Sequence, residues 1–90
     1  MPNFLKEGGF TFFCWSNEYI GGMGSGPLEP MHVHVCTGSP SSNATKYWLS
    51  PVKFENNNSG FSTGELRKIE KIIKDNEKLF ISEWKKHFGQ

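Results

Sequence analysis

Glu29-Pro30-Met31-His32-Val33-His34-Val35-Cys36 alternates between two kinds of side chain. In an extended strand Met31, Val33 and Val35 fall on one face, and His32, His34 and Cys36 on the other. The first face reads as core. The second sets two imidazoles and a thiol side by side. Burying the valines turns the histidines outward, away from whatever covers the core.

Upstream of this strand, Phe4-Leu5-Lys6 and Phe10-Thr11-Phe12-Phe13-Cys14-Trp15-Ser16 flank Glu7-Gly8-Gly9. Gly-Gly between two apolar runs is a hairpin signal, so residues 3–6 are expected to pair with 10–16. The second run is apolar on both faces, with Phe10, Phe12 and Cys14 on one and Thr11, Phe13 and Trp15 on the other. A strand of that kind is covered on both sides or awaits a partner. Ser16-Asn17-Glu18 then starts a turn. Residues 20–30 hold four glycines and two prolines in eleven positions, which excludes a helix or a central strand and predicts a flexible loop. The loop lacks the Gly-Lys-Ser/Thr ending of a phosphate-binding loop.

Downstream, Gly38 to Asn43 is turn material, Ala44 to Ser50 a fourth strand, and Val52-Lys53-Phe54 a short fifth. Lys46 and Trp48 share one face of the fourth strand; Thr45, Tyr47 and Leu49 share the other. Pro51 ends it or marks an edge. Residues 55–60 read as a polar turn. Phe61-Ser62-Thr63-Gly64-Glu65-Leu66 then carries a complete helix start: Ser62 as N-cap, Glu65 closing a capping box, Phe61 and Leu66 as a hydrophobic staple. Leu66, Ile69, Ile72, Ile73, Leu79, Phe80, Trp84 and Phe88 make an apolar stripe at helical spacing. Asp75-Asn76 interrupts it, giving either one kinked helix over 63–88 or two helices meeting at Asn76. The expected fold is α+β: an antiparallel sheet of four to five strands with the C-terminal helix packed on one face.

Ninety residues make one small domain with a small core, and thirteen aromatics help to fill it. The net charge of +1 gives no strong pull toward nucleic acid or membrane. Residues 1–61 carry three lysines against four glutamates, and residues 62–90 seven basic against five acidic groups. The basic residues of the helix are interspersed with acids, as on a solvated face. No stretch has the length and apolarity of a secretory leader or a membrane span. The expectation is a cytoplasmic protein with Cys14 and Cys36 reduced, although a Cys14–Cys36 bridge is open to paired strands.

The order of several segments points further. Phe12-Phe13, Ser16-Asn17-Glu18, Glu29-Pro30, His32-Val33-His34-Val35, Tyr47-Trp48-Leu49, Pro51-Val52, Gly60-Phe61-Ser62, Glu65-Leu66, Glu83-Trp84 and Phe88 together resemble the small bacterial proteins grouped as "domain of unknown function" number 4160. The resemblance covers nearly the whole chain. It implies a small intracellular protein, often encoded beside a second small protein in a toxin–antitoxin-like arrangement, and it brings no established catalytic residues. The glycine-rich stretch 20–28 looks like an insertion, and Met31 stands where a second proline is usual.

The residues leave two classes of function open. In the first the chain is a non-enzymatic binding component whose partner is another small protein or a second copy of itself, with Phe13, Trp15 and Trp48 as the contact surface. In the second the histidine pair works chemically. His32 and His34 can act as acid and base near neutral pH, with Lys46 supplying a cation for phosphate, as in a small ribonuclease. Alternatively a divalent metal such as zinc is held by some of His32, His34, Cys36 and Cys14, helped by Glu18, Glu29 or His87. Residues 32 and 36 lie about 13 Å apart on a straight strand, too far for one tetrahedral zinc to take all three side chains of that face.

Overall fold

The computed structural model describes residues 3–15 and 30–88. Five strands come first: β1 (Asn3–Glu7), β2 (Phe10–Phe13), β3 (His32–Thr37), β4 (Thr45–Trp48) and β5 (Lys53–Asn56). Two helices follow, α1 (Thr63–Asp75) and α2 (Glu77–Phe88). The strands lie in sequence order in one sheet, every neighbouring pair antiparallel. The α+β architecture expected from the sequence is therefore the one observed. The glycine-rich stretch 20–28 and the turn at Ser16-Asn17-Glu18 fall outside the described residues.

The β1–β2 connection follows from its two glycines. Both Gly8 and Gly9 have positive φ, +62° and +86°, the left-handed pair that matches a two-residue hairpin to the twist of its strands. β2 is shorter than expected: Cys14 and Trp15 have left the ladder, although Cys14 stays buried. All four β2 residues are buried, as their two-sided apolar character demanded.

Both helices lie on one face of the sheet. Phe80 of α2 meets Phe4 and Phe12 with ring centroids 5.7 and 5.4 Å apart. Phe61, just ahead of α1, stands edge-on to Phe10 at 5.5 Å. Val33, Val35 and Tyr47 from the sheet close the same cluster with Ile69, Ile73 and Trp84 from the helices. Burying an aliphatic or aromatic side chain of this size is worth about 1.5–3 kcal/mol, so this layer carries most of the favourable term.

The capping box at the helix start is as the sequence specified. Glu65 N–H donates to Ser62 Oγ at 3.2 Å, and Ser62 N–H donates to Glu65 Oε1 at 3.0 Å. Of the two arrangements left open for the stripe, two helices are found. Asn76 makes the break. Its N–H reaches the carbonyls of Ile72 and Ile73 at 3.1 and 3.2 Å, and its Nδ2 donates to Ile72 O at 2.8 Å. Its own carbonyl accepts Phe80 N–H at 3.0 Å. One residue thus caps the end of α1 and opens α2, which fits the taste of asparagine for helix ends.

Residues 57–60, the end of what read as a plain polar turn, form a hydrogen-bonded clamp with Phe61 and Thr45. Asn57 Nδ2 donates to Phe61 O at 2.8 Å, and its Oδ1 accepts Phe61 N–H at 2.9 Å. The same Oδ1 accepts from the Thr45 hydroxyl at 2.9 Å. Ser59 Oγ accepts Thr45 N–H at 3.1 Å and donates to Asn43 O at 2.7 Å. Thr45 is fully buried, so these bonds satisfy groups that would otherwise carry an unpaid desolvation cost. The clamp ties the approach to α1 onto β4 and fixes where the helix layer begins.

Candidate functional site

The other sheet face is built from alternate residues of β2, β3 and β4. Register places Phe13 opposite His34 and His34 opposite Lys46, a row across three strands. His32 lies opposite Trp48 in the next row. The rings touch in series. Phe13 and Trp15 have centroids 5.2 Å apart, Phe13 and His34 5.5 Å, and Trp15 and His34 6.4 Å. His34 and His32 are 5.0 Å apart, and His32 and Trp48 5.7 Å. Lys46 Nζ sits 4.4 Å from the centre of the Trp48 ring, a cation–π contact. The strand alternation therefore gathers His32, His34, Lys46, Phe13, Trp15 and Trp48, three candidates for chemistry and three for binding, into one patch.

Within the patch, depth varies. Trp15, His34, Lys46 and Trp48 are half-buried. Phe13 is fully buried and packs with Cys36, Ala44 and Trp15 in a second small cluster. It was expected as contact surface; its burial makes it the floor under Trp15 and His34. His32 departs from expectation too. Its ring is fully buried, 4.8 Å from Trp84 of α2. Both imidazoles leave the strand on the helix-free face, as predicted, but only His34 stands clear of the helices, since Trp84 encloses His32. The physical reason is position: His32 opens β3, and the large indole of Trp84 reaches the strand there. His32 Nδ1 lies 2.9 Å from the Pro30 carbonyl. A carbonyl only accepts, so Nδ1 carries the proton in that bond.

The cysteines separate. Cys36 lies opposite Thr11 in the β2–β3 ladder, so Cys14, three residues further on, takes the other face. Cys14 belongs to the helix-covered core and Cys36 to the second cluster, and no disulfide joins them. The bridge that was left open is not formed. The Cys36 thiol donates to Ser39 O at 3.3 Å. Burial pushes its pKa up, against a smaller lowering by a backbone hydrogen bond at Ser41. A thiol held protonated is a poor ligand and nucleophile. Among the described residues no three His, Cys, Asp or Glu side chains converge as a metal site. Glu18 and Glu29 lie outside those residues, and His87 is exposed on α2, its ring 4.7 Å from Phe88.

One patch residue escaped the sequence reading. Glu55 Oε1 accepts the Trp48 indole N–H at 3.0 Å, so an acid adjoins the lysine that covers the same ring. Alternation from Lys53 would have put Glu55 on this face, had the fifth strand been extended past Phe54.

No helix among the described residues is long and apolar enough to cross a membrane. Comparison with curated proteins and comparison with solved structures each returned no match. A family model matches residues 9–85, a span that takes in the whole patch and both helices but for the last residues of α2. The chain belongs to the family described as Domain of unknown function (DUF4160).

Proposed function

We propose that the helix-free sheet face is a protein-docking surface, and that the chain is the non-enzymatic binding component of a two-protein, toxin–antitoxin-like module. One observation carries this reading: Trp15, His34, Lys46 and Trp48 form a contiguous, half-exposed patch on a rigid sheet. Tryptophan is among the side chains most enriched at the energetic centre of interfaces, because it brings large area at little entropic cost. Buried Phe13 and His32 hold those rings in place from below, so the patch is organised before a partner arrives. The resemblance to proteins encoded beside a second small protein supplies the partner: the product of the adjacent gene, in the cytoplasm.

The test is co-purification of the two proteins, followed by titration calorimetry with Trp48→Ala and His34→Ala. Binding at least tenfold weaker, with melting temperatures close to wild type, supports the reading. Full affinity in both variants, or no complex with the wild-type chain, overturns it.

The registration of His34 opposite Lys46, beside His32, favours a second reading, acid–base hydrolysis of RNA. Here His34 is the exchanging imidazole and Lys46 the phosphate cation. Cleavage of a single-stranded RNA that disappears with His34→Ala would select it over the first reading.

A further inference from the structure

β5 ends the sheet order among the described residues, and it carries Phe54, at 45% the most exposed large apolar side chain among them. Such an edge is a template for another strand. Its sequence, Lys53-Phe54-Glu55-Asn56, says which strand. Lys53 lies opposite Trp48 and so projects to the helix-free face; Phe54 lies opposite Tyr47 and projects to the helix side. Glu55 is the extra residue where the β4–β5 register shifts, and Trp48 Nε1–H holds its Oε1 on the helix-free side.

We propose that the β5 edge pairs with β5 of a second copy of this chain, antiparallel about a two-fold axis at Phe54. That register is self-complementary. Phe54 faces Phe54 of the second copy, and Lys53 faces Glu55 of the second copy twice, once on each side of the axis. The carboxylate is already oriented by Trp48 through one oxygen, which leaves Oε2 for the incoming ammonium. Lysine on an edge ordinarily discourages pairing with a neutral strand; with glutamate two residues on, it favours this one register. The dimer would continue the sheet from five strands to ten and bring two docking faces side by side. The edge shares only Glu55 and its Trp48 contact with the patch, and its pairing does not require a partner bound there.

Two four-residue strands bury less than the ~1,200 Å² of a standard interface, so association is expected at tens to hundreds of micromolar. Sedimentation equilibrium on the purified full chain alone, over roughly 10 µM to 1 mM, tests it. The wild-type chain should pass from monomer to dimer over that range. Phe54→Asp should remain monomeric, with its circular dichroism close to wild type because nearly half of that side chain is exposed. Lys53→Glu alone and Glu55→Lys alone should each weaken the dimer at least tenfold, by setting like charges opposite each other. The double exchange Lys53→Glu/Glu55→Lys should restore it. A wild-type chain monomeric at 1 mM, or a dimer indifferent to Phe54→Asp and to the single charge changes, overturns the proposal.

Discussion

The two faces of one sheet differ in what holds them. The helix-covered face is held by apolar contact: Phe4, Phe10, Phe12, Val33, Val35 and Tyr47 meet Ile69, Ile73, Phe80 and Trp84. The other face is held by rings in series and by polar tethers: Phe13, Trp15, His34, His32 and Trp48, with Lys46 over one indole and Glu55 bonded to it. Non-directional burial tolerates exchange of one apolar side chain for another of like volume. A face of edge-on rings and charge contacts is specific to its residues, and part of each remains reachable from outside. Adjacent positions on a strand therefore differ in kind, one closed into the core and the other, on the docking reading proposed above, left for recognition.

Substitutions across the sheet should expose that contrast. The largest effect is expected from Phe12→Ala, which removes a fully buried ring from the core; it should destabilise by about 3–5 kcal/mol in denaturant melts. A loss under 1 kcal/mol would mean that the covered face is not where stability resides. Next comes Asn57→Ala in the clamp. Three hydrogen bonds go, and the buried Thr45 hydroxyl loses its acceptor. About 2–4 kcal/mol should be lost, combining the bonds with one stranded polar group.

The two histidines sharpen the comparison within a single strand. His32→Ala empties a site enclosed by Trp84, Trp48 and His34, and should cost on the order of 1–3 kcal/mol. His34→Ala, half-buried on the open face, should cost under about 1 kcal/mol while weakening partner binding. Equal losses of stability at the two positions would erase the distinction between them.

Smaller still are the effects at the helix start. Ser62→Ala should lower stability by about 0.5–2 kcal/mol, read as a shifted denaturation midpoint. The Ser62 backbone N–H, followed by its side chain, holds the Glu65 carboxyl below its ordinary value. A carboxylate with a depressed folded-state pKa contributes stability that is present above its unfolded pKa and is lost as pH falls through the folded one. The stability gap between wild type and Glu65→Gln should therefore be full at neutral pH and close on acidification. A gap that does not change with pH would show that the charge of Glu65 plays no part in the cap.

Local chemistry made much of the molecule legible in advance. Gly8-Gly9 specified a hairpin because few other residues accept two successive positive φ values. Ser62 and Glu65 specified a helix start because their side chains reach each other's backbone within one turn. Period-two alternation put Lys46 with Trp48 and His34 with Cys36 on the face opposite the valines. The family was legible as well, through the spacing of segments along the chain.

What sequence could not supply was anything set by one element meeting another. Asn57 looked like a turn residue until Thr45 and Phe61 were brought within reach of its amide. Cys14 and Cys36 looked able to pair until the ladder register put them on opposite faces. His32 and His34 share a strand face and a local pattern, so sequence treats them alike. The tertiary structure divides them, because Trp84 arrives from a helix more than fifty residues downstream and encloses one imidazole but not the other. Periodicity reports which way a side chain leaves its own backbone. What stands in its path is fixed only when the distant parts of the chain have packed.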